Sequence, residues 1–101
     1  MEKELFYRTQ DCYVHRKVAG NDVLISVGAN LANFNGYITL NATAAFLWEK
    51  LQVPRTAEFL IRELLASFEV SEEEARRDVL EFLQYLQKHS MVSVSENAEN
   101  P

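Results

Sequence analysis

The sequence predicts an α+β domain in which a three-stranded antiparallel sheet precedes three helices. Three observations carry this reading. Strand-prone runs separated by turn residues fill the stretch up to Leu40. At Asn41 the apolar spacing changes to the 3.6-residue period of a helix. Helix-starting residues then stand at Asn41, Thr56 and Ser71, each followed by an amphipathic run.

Residues 1–10 are polar and are expected to be loosely held. Tyr13 to Val18 has strand-prone residues with partial alternation and reads as the first strand. Gly20-Asn21-Asp22 is a turn cluster. Val23 to Val27 is a second strand, apolar enough to be central in the sheet. The Gly- and Asn-rich stretch from Gly28 to Gly36 reads as a loop or wide hairpin tip. Tyr37-Ile38-Thr39-Leu40 is the third strand, and the short connections imply an antiparallel meander.

The Asn41 side chain is suited to accept from the free N–H groups of a first helical turn. Helix one is expected from about Ala42 to Gln52, with Ala45, Phe46, Trp48 and Leu51 inward, Leu47 near the margin and Pro54 as its stop. Thr56 caps helix two, where Ala57, Leu60, Ile61, Leu64, Leu65 and Phe68 keep one apolar face. Ser71 and Glu74 have the spacing of a capping box. Glu72, Glu73 and Glu74 suit the positive end of helix three, which runs to about Lys88. Met91 to Val94 adds a short strand. The domain thus covers residues 1–95, and 96–101 form a disordered tail.

Composition narrows the function. The 101 residues form one domain, and 48% apolar with 25% charged residues is an ordinary globular mixture. A single cysteine, Cys12, rules out an internal disulfide and reads as a spectator thiol. No apolar run approaches the roughly 20 residues of a membrane span, and no secretory signal opens the chain, so a cytoplasmic location is the default. The net charge of −5 disfavours general binding to nucleic acid or acidic membranes. Basic residues pair only at Arg16-Lys17 and Arg76-Arg77. His15 and His89 sit in no ligand pattern and read as solvated or rim residues. No glycine arrangement matches a phosphate loop, and no serine stands in a nucleophile elbow. Catalytic residues, a cofactor site and a metal site are therefore not expected, nor is enzymatic activity. Trp48 reads as core instead of a ligand platform.

Helix three offers more than a core stripe. At about 100° per residue, Ala75, Val79, Phe82 and Leu86 fall within about 60° of one another and form that stripe. Leu83 lies at its edge and Leu80 farther round, flanked by Arg76 and Gln87. These four residues form a second, half-exposed ridge. The final strand or the tail covers it, or it walls an apolar groove.

The run Tyr37-Ile-Thr-Leu-Asn-Ala-Thr-Ala-Ala-Phe-Leu-Trp48 and the run Ala75-Arg-Arg-Asp-Val-Leu-Glu-Phe-Leu-Gln-Tyr-Leu86, in this order behind the first two strands, resemble the PqqD family. These are the pyrroloquinoline quinone biosynthesis D proteins, also called RiPP recognition elements, here in single-domain form. The resemblance covers roughly residues 13–93. It departs where the family ends helix three with a glycine, since Lys88-His89-Ser90-Met91 stands there. The Gly28–Gly36 loop is also longer than is usual in the family.

The resemblance implies a winged-helix-like fold and a chaperone-like adaptor in natural product biosynthesis. Such an adaptor binds the leader segment of a ribosomally made precursor peptide. It presents the rest to a modifying enzyme, such as a radical SAM protein. The leader adds as a strand beside the third strand, using the backbone of Tyr37, Ile38, Thr39 and Leu40, and packs against helix three. The expected contacts there are Val79, Leu80 and Leu83 for apolar side chains, Arg76 for a carboxylate, and Gln87. Asp78 is ambiguous, because a carboxylate early in a helix is stabilising anyway. Two other readings stay open: a winged-helix DNA-binding regulator, disfavoured by the acidic start of helix three, and a regulatory subunit docking on an unrelated protein.

Overall fold

The computed structural model describes residues 4–10, 13–26 and 37–96. The chain runs β1 (Phe6–Thr9), β2 (Tyr13–Val18), β3 (Asn21–Ser26), β4 (Tyr37–Leu40), α1 (Ala42–Lys50), α2 (Ala57–Ser67), α3 (Glu72–Lys88) and β5 (Val92–Ser95). The antiparallel sheet β2-β3-β4 has β3 in its centre, as expected from the apolar run there. The Gly28–Gly36 loop, Cys12 and the 97–101 part of the expected tail lie outside the described residues.

The first ten residues differ from expectation. Phe6–Thr9 is a strand, paired antiparallel with β5 so that Tyr7 meets Val94 and Thr9 meets Val92. Its other edge is held by the α1–α2 link: the Tyr7 N–H donates to the Arg55 carbonyl at 2.7 Å, and the Arg55 N–H returns a bond at 2.9 Å. A local sequence pattern does not reveal this strand, because its partners lie more than 40 residues away.

The β2–β3 hairpin turns on Ala19 and Gly20, both at positive φ (52° and 84°). Two successive positive φ values are what a tight two-residue hairpin demands. Asn21 and Asp22, expected in the turn, are already paired in β3.

All three helix starts are as expected. The Asn41 Oδ1 accepts from the Ala44 N–H at 2.8 Å, and the Thr56 hydroxyl accepts from the Phe59 N–H at 3.1 Å. At Ser71 the capping box is complete: its hydroxyl accepts from the Glu74 N–H at 3.1 Å, and Glu74 accepts from the Ser71 N–H at 3.2 Å. Asn41→Ala and Ser71→Ala are each expected to destabilise by about 1 kcal/mol, since one amide of the first turn loses its acceptor. Urea midpoints check this; an unmoved midpoint in either variant would show that its cap is dispensable.

The end of α3 shows how the chain manages without glycine. Ser90 takes φ 56°. The Met91 N–H donates to the Leu86 carbonyl at 2.8 Å and the Ser90 N–H to the Gln87 carbonyl at 3.2 Å. This is the paired bonding of a Schellman stop, with Leu86 and Met91 both fully buried beside it. The buried contact and the two bonds hold Ser90 in a conformation that costs an L-residue about 1–2 kcal/mol. Ser90→Gly is expected to raise stability by about 0.5–1 kcal/mol, net of glycine's greater freedom when unfolded. A lower thermal midpoint for Ser90→Gly would count against it.

The core joins one sheet face to the helices through Leu24, Leu40, Leu47, Trp48, Leu60, Leu64, Val79 and Leu86. α1 is rotated slightly from its expected placement. Leu47 is buried, while Phe46 is only half-buried and meets Phe68 edge-on at 5.3 Å. The α2 face narrows to Leu60, Ile61 and Leu64, leaving Leu65 exposed. Among the described residues no helix is long and apolar enough to cross a membrane.

Candidate functional site

The three-stranded sheet has two outer edges, β2 and β4. They differ chemically. β2 carries His15, Arg16 and Lys17 in succession, and charges along an edge discourage pairing with another strand. β4 reads Tyr-Ile-Thr-Leu, with no charge. Ile38 packs against the core and Leu40 is buried, while Thr39 is exposed on the opposite face. Among the described residues β4 therefore keeps one edge in the sheet and presents an uncharged edge outward.

Directly after β4, the first turns of α1 meet the middle of α3 around a depression of about 270 Å³. Ala44, Leu47 and Phe82 form its apolar lining; Asn41, Thr43, Asp78 and Glu81 form its polar lining. Asn41 is thus both the cap of α1 and a wall of the depression. Phe82 is half-buried, so part of its ring is open to a partner. One turn farther along the same flank of α3, Tyr85 is 38% exposed and its ring lies 4.5 Å from that of His89, the C-cap residue.

Of the residues expected on the ridge and its wall, Arg76, Leu80 and Gln87 are exposed, while Val79 and Leu83 are not. Val79 and Leu83 are 0% and 2% exposed, so both are core and neither offers a surface. Leu83, rather than the half-buried Phe82, completes the buried stripe with Ala75, Val79 and Leu86. Arg76 is already engaged. Its guanidinium donates to Glu58 of α2 at 2.9 Å and lies 3.5 Å from Glu72. The hydrogen bond first, then the charge, holds the Glu58 carboxyl below its usual value. Leu80 stands one turn beyond Arg76 on that flank and is 44% exposed; Gln87 follows on the same side. Arg76, Leu80 and Gln87 thus belong to the flank beside α2, whereas Asp78, Phe82 and Tyr85 belong to the flank beside the β4–α1 junction. Helical periodicity identifies both flanks but does not tell which of them meets α2.

A model of the family of coenzyme PQQ synthesis protein D (PqqD) matches residues 12–92. The chain belongs to the PqqD family. Two solved structures share the PqqD fold seen here. One is a lasso peptide synthetase B1 complexed with the leader peptide, with a TM-score of 0.66, 20% identity, and coverage of 86% of this chain and 96% of that one. The other is TbiB1 in complex with the TbiA(beta) leader peptide, with a TM-score of 0.66, 19% identity, and coverage of 85% and 94%. No curated protein sequence matches the chain significantly.

His15, expected as a solvated or rim residue, is partly exposed but engaged. Its ring is 20% exposed and sits between two carboxylates: Nδ1 is 2.6 Å from Glu49 of α1, and Nε2 is 2.9 Å from Asp22 of β3. Only an imidazolium donates at both nitrogens. Partial burial opposes the charged ring, but the hydrogen bonds to Glu49 and Asp22 and their charges outweigh it and raise the His15 pKa. Asp22 is lowered, first by its bond to His15, with Lys17 at 3.5 Å adding to it.

The signs set a window. The His15 contribution is complete below its ordinary value of 6.5 and is lost as the pH rises through the higher folded value. The Asp22 contribution is present above its ordinary value of 3.8 and is lost as the pH falls through the lower folded one. Stability is expected to decline on the alkaline side of 6.5 by under about 1 kcal/mol, since the cluster is partly solvated. His15→Gln should flatten that decline in a series of denaturation curves. An unchanged slope would remove His15 as its origin.

Proposed function

We propose that the chain is a non-catalytic adaptor that binds the leader segment of a ribosomally made precursor peptide and presents it to a peptide-modifying enzyme. The observation that carries this reading is the uncharged outer edge of β4, which leads at Asn41 into the depression that Asp78, Glu81 and Phe82 of α3 help to line. Main-chain groups on such an edge bond to any extended peptide, while a neighbouring side-chain wall supplies selectivity. Family membership supports the reading, as do the printed descriptions of two structures of the same fold as leader-peptide complexes. The leader runs along the backbone of Tyr37 to Leu40. Its inward side chains meet Phe82 and Tyr85, in place of the Arg76–Leu80–Gln87 ridge.

The test is selection from a random 15-residue peptide display library, followed by amide-shift mapping with a selected peptide. Shifts should concentrate on Tyr37–Leu40 and on Asp78 to Tyr85. Shifts centred on α2, or a library that yields no binder, would overturn the proposal.

A further inference from the structure

We infer that Asp78 and Glu81 make the site selective for a peptide carrying lysine or arginine where it passes the β4–α1 junction. The inference rests on the strand-addition reading above and adds the chemistry of one side chain of the ligand.

The depression joins an apolar lining of Ala44, Leu47 and Phe82 to two carboxylates. Asp78 and Glu81 are three apart on α3, so they stand side by side on one helical face. Among the described residues no cationic side chain lines the depression. Arg77 forms only a loose, solvent-exposed ion pair with Asp78, its Nε 3.8 Å from Oδ1, too far for a hydrogen bond, and 57% of its side chain is exposed. The other neighbouring cations are committed elsewhere: Arg76 to Glu58 and Glu72, and Lys50 to Glu63 at 3.2 Å.

Three kinds of occupant differ in what they do to these carboxylates. An aliphatic side chain covers the apolar lining but strips water from two anions and returns nothing. A metal ion needs converging ligands, and no group of three or more His, Cys, Asp or Glu among the described residues is placed to hold one. A lysine or arginine satisfies both halves. Its methylene stem lies on Phe82 and Ala44 while its charged head reaches Asp78 and Glu81. The occupant is therefore a basic residue of an extended peptide, complementary to a chain of net charge −5.

Peptides selected on the native chain from the random 15-residue library should carry Lys or Arg at one fixed spacing from their apolar anchors. Replacing that residue by norleucine should weaken binding about tenfold to the native chain and less than twofold to Asp78→Asn/Glu81→Gln. A second selection on Asp78→Lys/Glu81→Lys should yield Asp or Glu at the same spacing, an exchange that a merely structural role does not produce. Circular dichroism establishes that each variant folds; if the reversed pair does not, the neutral pair decides. Binders that map to β4 but show no basic preference, or the same preference on the neutral pair, overturn this inference and leave strand addition standing. Binders that map elsewhere, or no binders, overturn both.

Discussion

Trp48→Ala should cost about 3–5 kcal/mol, a large share of the roughly 5–15 kcal/mol that holds a domain together. Trp48 is 1% exposed on the inward face of α1. Tyr13 of β2 meets it nearly edge-on, with ring centres 6.5 Å apart and planes at 82°, so the residue ties the sheet to the helices. The cost has two sources: the apolar surface lost from the interior, and the cavity left where the neighbours cannot collapse fully. Aromatic geometry with Tyr13 adds about 0.5–1.5 kcal/mol to what area alone predicts. Urea unfolding followed by circular dichroism measures the loss, since the variant has no tryptophan to report by fluorescence. A loss below 1 kcal/mol would mean that α1 is not the centre of the core.

Tyr85→Asp should weaken peptide binding tenfold or more, while Leu80→Asp should change it less than twofold. The two side chains are similarly exposed, at 38% and 44%. They stand on opposite flanks of α3, so fold disruption affects both alike and position alone separates them. Tyr85 offers an aromatic surface one turn beyond Phe82; a carboxylate there meets the incoming peptide without a partner. Tenfold corresponds to about 1.4 kcal/mol, which one desolvated charge readily supplies. Leu80 stands on the flank where Arg76 reaches Glu58 of α2. Titration calorimetry with a peptide selected on the native chain decides the matter. The reverse result, with Leu80→Asp impaired and Tyr85→Asp unaffected, would return the groove to the α2 side.

The legible parts of this chain are those whose physics is local. Asn41, Thr56 and Ser71 start helices because their side-chain oxygens reach amides two or three residues away, which is visible in sequence spacing. The three-stranded sheet is legible for the same reason: short apolar runs broken by turn residues leave few arrangements other than a meander. Ser90 is an intermediate case. The missing glycine is plain in the sequence, but its consequence is not, because the left-handed turn persists through the Met91 N–H bond to the Leu86 carbonyl, with both residues buried.

The residues therefore determine by themselves the order of the three-stranded sheet and the three helices, the caps, and a family resemblance that the match over residues 12–92 bears out. Tertiary structure alone decided three further matters. It made Phe6–Thr9 a strand, since β5 and Arg55 supply its hydrogen bonds from the far end of the chain and from the α1–α2 link. It placed His15 between Glu49 and Asp22, two carboxylates on different elements. It also set α3 so that Leu83 is buried and Asp78, Glu81 and Phe82 line the depression at the start of α1. The physical reason is common to all three. Helical and strand periods fix angles about an element's own axis, but the rotation of that axis is set by packing against neighbours distant in sequence.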